Sequence, residues 1–576
     1  YLQTDWDIDQ MRRPAYDSPG LPITWQRINY AGNANGSIEI LSPQATELIK
    51  EWVEKNPEKA KVFGGHPFEM NNISKYWIFE ANAKEKSEGR KVVEEIIEYI
   101  KKGLASQGKA IENRGREEYN KLVKNKSQYI SMVSSSEYEA AIQQAQEFIE
   151  YGEYLTDHAR RIGGKVIPSS VIYIPIDSAA VRRSGMLVPE EYKDDMPEYM
   201  EIDLGKKEAL LRYELIMFDM LANANWERPL YMSMTVGEEN YPGVLQNFFV
   251  HEGLAYRITP FNWTELGYGN DGGYPVDIDK FYDNIMNRFE WGGVKENKDY
   301  YADETIRRMI YTHRNLIVML AQTMVTKNQP EEKIIALLEK WHSEFPNEII
   351  RYDAVRDNSI AVANMYKFLY NKCKDKEKAA LLKERYTEIA TAIAQEQYEH
   401  LKWYNNFKPK QRSEVMIFTR LNLFTQSLGM IEDVSFNDID INDIVSVIAK
   451  IIENECDELS DPKSNVLTSN ATVSKKVQLI DHTYSFLSKM GKIPSVDRKM
   501  IATFRHIANY ENRKLQRYNV NRLTQNDADE ILATLQLVGT AYETARTLGN
   551  EYAAAIIEIK NIYDKNVDKF APYILD

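Results

Sequence analysis

Three groups of residues have types and spacing suited to chemistry: Asp5, Asp7 and Asp9 around Trp6, the run Trp226-Glu227-Arg228-Pro229-Leu230-Tyr231, and the pair His251-Glu252. Carboxylates at every second position share one face of a strand, where they could bind calcium or a sugar. A calcium loop also carries Gly and a closing Glu, which this segment lacks, so a solvated acidic edge is the simpler reading. Arg228 is a candidate partner for a buried carboxylate, and Pro229 would set the entry to the strand holding Tyr231. A structural role outweighs a functional one there. His251 is the histidine to examine first, because it lies beside a strand in aromatic-rich sequence.

Aromatic residues make up 11% of the chain, with 36 Tyr, and they crowd one region: Trp263, Tyr268, Tyr274, Tyr282, Phe289 and Trp291. Aromatic faces next to Asn- and Gly-rich loops suit sugars, whose C–H faces stack on rings while their hydroxyls need fixed polar partners. The plainer account is that these rings seal a junction between two domains. Asp177-Ser178-Ala179 also fits a short bacterial O-glycosylation acceptor pattern, a three-residue match that chance supplies often.

Other chemistry is poorly represented. The 8 His residues are dispersed, with no two four apart, so no helical two-His metal platform exists. Cys373 and Cys456 stand alone, which argues against a zinc site and a disulfide scaffold. No phosphate-binding loop, dinucleotide fingerprint, HExxH or GxSxG motif is present. We therefore expect no metal and no cofactor. The 86 Asp+Glu against 72 Lys+Arg give a net charge of -14, which would repel a phosphate backbone, so no nucleic-acid partner is expected. No apolar run reaches the ~18–20 residues of a membrane helix.

The elements that must position these residues fall into two regions. Ser37–Leu41, Val171–Ile176, Met200–Leu204, Leu230–Val236 and Leu254–Thr259 read as strands, with Pro175 confined to an edge or end. Ser42-Pro43 reads as a helix cap followed by Pro at the first helical position. Ser87–Ala105, Glu137–Ile162 and Glu208–Ala224 have helical spacing. Residues 1–265 thus read as a mixed α/β domain with a helical insertion at about 43–165. Residues 275–576 read as an all-α array of helical hairpins, interrupted at Pro330, Pro346, Pro409, Pro462 and Gly491. The pair Asn315–Val325 and Glu331–Glu344 is tetratricopeptide-like, without that repeat's Gly. The fold class expected is α+β followed by a tetratricopeptide-like helical array.

Several segments together resemble one family. They are Tyr1–Arg13, Ile174-Pro175-Ile176-Asp177, Met217–Tyr231 with its Trp-x-Arg-Pro-x-Tyr ending, Glu252-Gly253-Leu254-Ala255-Tyr256-Arg257, and Tyr282–Gly293. They resemble domain of unknown function 2723, bacterial membrane proteins related to protein O-mannosyltransferases. The resemblance implies a multispan glycosyltransferase-like region upstream, with the catalytic carboxylate near its membrane helices. Tyr1 follows no Met and no apolar leader, consistent with a fragment or a processed chain. The chain is then expected to be the periplasmic part of such a protein, tethered through that region and without catalytic residues of its own. Its expected partners are its own multispan region and acceptor proteins or glycans. Asp5, Trp6, Arg228, Tyr231, His251, Trp263 and Trp291 are the candidate ligand or partner surface. A SusD-like carbohydrate-binding lipoprotein is the alternative, and a glycoside hydrolase with paired carboxylates is a third reading.

Overall fold

The computed structural model describes residues 9–15, 19–24, 36–268, 273–297, 299–408, 414–431, 439–463 and 466–574. Asp5 and Trp6 lie outside them. The chain divides into two compact units, Tyr1–Phe281 and Tyr282–Asp576.

The first unit is α+β, and its strands are short. β1 (Ser37–Glu39) leads into α1 (Pro43–Lys55), where Ser42 Oγ accepts from Ala45 N at 3.3 Å and Pro43 occupies the first turn. Its apolar positions, Leu48, Ile49 and Trp52, face the core. α2 (Glu88–Lys124) and α3 (Ser135–Arg161) form a long antiparallel hairpin. The helices approach closely because glycine removes the intervening side chains. A Cβ on Gly152 would fall 2.5 Å from Glu112 N, and one on Gly108 would fall 2.7 Å from Gly152 O. Only the base of the hairpin joins the main core, through Val93, Ile96, Ile100 and Leu104 of α2 and Leu155 and Ala159 of α3. The outer part is held by a small cluster around Leu122, Tyr138 and Ala145.

After the hairpin, β2 (Val171–Pro175) pairs antiparallel with β3 (Tyr199–Asp203), and Pro175 closes its strand. β4 (Ala209–Leu211) pairs with β1, and α4 (Arg212–Asn223) follows directly. The helix expected from Glu208 therefore starts later. Helical spacing and strand alternation both fit Ala209-Leu210-Leu211, and pairing with Ser37–Glu39 settles the choice. β5 (Tyr231–Ser233), β6 (Phe249–His251) and β7 (Ala255–Ile258) make a three-stranded sheet in the order β5-β7-β6. The expected strand Leu230–Val236 shortens to three residues, because Ser233 Oγ bonds Thr235 and the chain turns away.

The second unit is a stack of helices that pack on their sequence neighbours and on the helix next but one. They are α5 (Glu304–Thr326), α6 (Glu331–Glu344), α7 (Ser359–Lys372), α8 (Lys376–Tyr404), α9 (Glu414–Leu428), α10 (Ile441–Ser460), α11 (Asn470–Met490), α12 (Pro494–Leu515), α13 (Gln525–Arg546) and α14 (Ala553–Ile574). α6 starts and ends where the sequence places it. α10 packs on α11 and α12, α11 on α13, and α12 on α13 and α14. Contact with the next helix and the next but one is the pattern of stacked hairpins. The N-terminal end is pinned by Arg314, fully buried and 2.8 Å from the equally buried Asp357. Its guanidinium also donates to the carbonyls of Phe345 and Ile350 and lies over the Tyr352 ring.

Candidate functional site

The β5-β7-β6 sheet brings most of the candidate residues together. Tyr231 faces Arg257, Met232 faces Tyr256, and Tyr256 faces His251 across the second pair. Because side chains alternate, one face carries Tyr231 and Arg257, and the other carries Phe249, His251 and Tyr256.

On the first face a buried carboxylate is fully engaged. Glu252 Oε2 accepts from Tyr231 Oη at 2.8 Å, and Oε1 accepts from Lys280 Nζ at 3.1 Å. The Arg257 guanidinium lies 3.6 Å away and donates to the Ser184 carbonyl. Burial, then the bond to Glu252, pushes the Tyr231 hydroxyl up to about 12. Asp277 caps the short helix Ile278–Asp283 by accepting from Lys280 N, and burial raises its pKa. With Tyr231 and Lys280 turned on Glu252, this group is built as a scaffold, although the buried Arg257 Nε has no partner among the described residues.

The neighbouring Trp-x-Arg-Pro-x-Tyr corner is closed as well. Asn225 and Trp226 both adopt positive φ, 49° and 59°, an unusual conformation for a buried Trp. Trp226 Nε1 donates to Pro175 O at 2.7 Å, which anchors the corner to β2. Among the described residues Arg228 pairs with no carboxylate. It donates to the carbonyls of Pro19 and Gly20 at 3.2 and 2.5 Å. The space among Trp226, Arg228 and Arg257 is about 10 Å³, room for one water at most.

The second face is aromatic. His251 lies 4.8 Å from Tyr256 and 5.0 Å from Phe281 between ring centroids. Neither ring nitrogen has a hydrogen-bond partner among the described residues, and burial lowers its pKa to about 4. It is a neutral ring in the core. Tyr274 packs on Phe249 and Tyr256, and burial pushes its hydroxyl up to about 12.

Beside this aromatic face lies an open recess of about 260 Å³. Trp263 forms its inner wall, buried, with Nε1 donating to Thr259 Oγ1 at 2.9 Å. Tyr268 stands edge-on to Trp263 and is exposed, with half-buried Tyr274 nearby. Gln246, Asn247 and Glu238 supply the polar groups. Gln246 Nε2 donates to Tyr241 Oη at 3.1 Å, and Asn247 Oδ1 accepts from Thr264 Oγ1 at 3.0 Å. Gln246 Oε1 and Asn247 Nδ2 have no partner among the described residues and could meet a ligand, one as acceptor and one as donor.

Of the predicted residues, Arg228, Tyr231 and His251 are thus scaffold, and Trp263 lines the recess. Trp291 lies in the other unit, packed against Phe345 at 5.5 Å and His313 at 6.3 Å. Asp177 serves the fold, its Oδ1 capping the helix Ser178–Arg183 by accepting from Ala180 N. Sequence reasoning did not single out Glu238, Gln246 or Asn247. They stand in short 3₁₀ turns, which carry no periodic signal. Among the described residues, no group of three or more His, Cys, Asp or Glu could hold a metal ion, and no helix is long and apolar enough to cross a membrane.

Comparison with known proteins corrects the family expected from sequence. No curated protein and no solved structure matches the chain. The family model that does match covers residues 1–277 and is TMEM260-associated domain 2, not domain of unknown function 2723. The motifs that suggested the latter, Trp226–Tyr231 and Glu252–Arg257, are the closed corner and sheet scaffold, so they describe packing more than a binding specificity. The N-terminal unit is therefore similar to TMEM260-associated domain 2.

Proposed function

We propose that this chain is the binding part of a glycosyltransferase-related membrane protein, and that its N-terminal unit holds a saccharide or glycosylated acceptor without acting on it. The family similarity points to a glycosyltransferase-related context. The observation that carries the binding role is the recess beside β6, where exposed Tyr268 and half-buried Tyr274 stand next to the amide groups of Gln246 and Asn247. Rings that stack on C–H faces and amides that pair with hydroxyls are the combination a sugar residue needs.

We read the unit as non-catalytic, a reading its described acid groups support. Glycosidic cleavage uses two carboxyl groups about 5–9.5 Å apart across the bond. Among its described lining residues the recess has one acid, Glu238. Glu252 is occupied by Tyr231 and Lys280. The helix stack of the second unit we read as tetratricopeptide-like, supported by its hairpin packing. We place the whole on the periplasmic side, tethered through a multispan region.

Calorimetric titration of the intact chain with methyl α-mannoside and methyl β-galactoside tests the binding role. Millimolar or tighter binding of one of them, lost in Tyr268→Ala and Gln246→Ala, is expected. Absence of binding to both, or binding unaltered by both substitutions, would refute it.

A further inference from the structure

The second unit contains a larger groove that the saccharide reading does not use. It runs between α11 and α13, has a volume of about 1000 Å³, and is floored in part by Tyr563 of α14. Gly539 makes room for that floor, since a Cβ there would come within 3.0 Å of the Tyr563 ring.

The two walls have the same construction. On α11 the groove is lined by Ser474, Gln478, Asp481 and Ser485, and on the other wall by Gln536, Thr540 and Glu543 of α13 and by Thr547, which caps its C-terminal end. Both sets step by four, three and four residues, so each is one continuous stripe along its helix. The acid stands third and a hydroxyl fourth in both. Nothing in folding requires such polar stripes to face each other, and the α11 stripe is left open. Among the described residues, the side chains of Ser474, Gln478, Asp481 and Ser485 have no hydrogen-bond or ion-pair partner, although Asp481 is half-buried. Glu543 is held by Arg546 on an exposed rim.

We propose that this groove binds an extended polypeptide segment carrying a basic side chain. An extended strand presents N–H and C=O groups along both edges, which two facing rows of Gln, Ser and Thr can meet. From Ser474 to Ser485 the stripe is ~17 Å long at the helical rise, matching about five residues of extended chain. The acids decide the chemistry. Asp481 is unpaired among the described residues, with Glu543 on the opposite wall, and a Lys or Arg of the segment supplies its counter-charge. A neutral glycan would leave that carboxylate unserved, and a nucleic acid would be repelled. The groove lies wholly in the second unit and owes nothing to the recess of the first.

The proposal is tested by fluorescence anisotropy on the full chain, with a labelled Ser/Thr-rich octapeptide containing one central Lys and the same peptide with Glu in its place. The Lys peptide is expected to bind at least about tenfold more tightly, as an ion pair in a half-buried groove should allow. Asp481→Lys should invert that preference. Gln478→Ala, an exposed position that tolerates truncation, should weaken both peptides. Melting curves matched to the parent chain verify the fold of each variant, and Asp481→Asn replaces the reversal if Asp481→Lys does not fold, with loss of the preference expected. No binding of either peptide, equal binding of the two, a preference unchanged by the Asp481 variant, or binding of a neutral hexasaccharide in place of peptide would each overturn the proposal.

Discussion

Replacing His251 by Phe isolates a proton that the fold excludes. His251 is buried between Tyr256 and Phe281, and both ring nitrogens lack a partner among the described residues. Burial brings its pKa from 6.5 in the open chain down to about 4. The unfolded chain therefore binds a proton between those values that the folded chain refuses, and stability rises with pH across that window. Its contribution is complete above pH 6.5 and is lost as pH falls toward 4. At about 1.4 kcal/mol per pKa unit the difference is roughly 3 kcal/mol. Phe keeps the ring contacts and cannot titrate. Any repacking cost of the slightly larger ring acts equally at every pH, so the slope carries the information. Urea unfolding of both proteins at half-unit steps from about pH 7 to 4, with hydrogen exchange at Phe249–His251 to identify the unit that opens, gives the comparison. The parent should lose roughly 3 kcal/mol more than His251→Phe over that range. Parallel curves within about 0.5 kcal/mol would refute the reasoning, because they would mean that His251 is protonated, or reached by water, inside the fold.

Further outcomes follow from the same structure. Arg314→Met leaves Asp357 as an uncompensated buried charge and should cost about 3–5 kcal/mol in the second unit; adding Asp357→Asn should recover part of it, measured by urea unfolding as a double-mutant cycle. Tyr231→Phe removes one of the donors to Glu252 and should cost roughly 1.5 kcal/mol in urea unfolding, since Lys280 and Arg257 remain and Tyr231 is partly exposed. Gly152→Leu forces α2 and α3 apart, so hydrogen exchange should accelerate across residues 108–150 while the β2–β3 pair keeps its protection.

Where periodicity was strong, sequence and structure agree closely. Glu331–Glu344, the Ser42-Pro43 helix start and the Val171–Pro175 strand come out almost as read, because their signals are local: helical spacing, a capping hydroxyl, a proline that cannot continue a sheet. The weak spots were short. Ala209–Leu211 joined a strand only because β1 was there to receive it. Phe249–His251 formed β6 out of sequence that showed no alternation, through pairing with β7.

The candidate site divides along the same line. Residue types by themselves determined that this chain carries no familiar catalytic or metal motif, that its charge disfavours nucleic acid, and that aromatic and amide groups gather near Trp263. Tertiary structure alone decided which of the conspicuous residues were free to bind. Arg228, Tyr231 and His251 stood out in sequence and are bonded or packed within the unit: Arg228 on two carbonyls, Tyr231 on Glu252, and His251 buried as a neutral ring, since a buried polar group must find partners or lose its charge. Gln246, Asn247 and Asp481 drew no notice in sequence. They became candidates because folding left their polar atoms facing open space, and that depends on which segments pack around them.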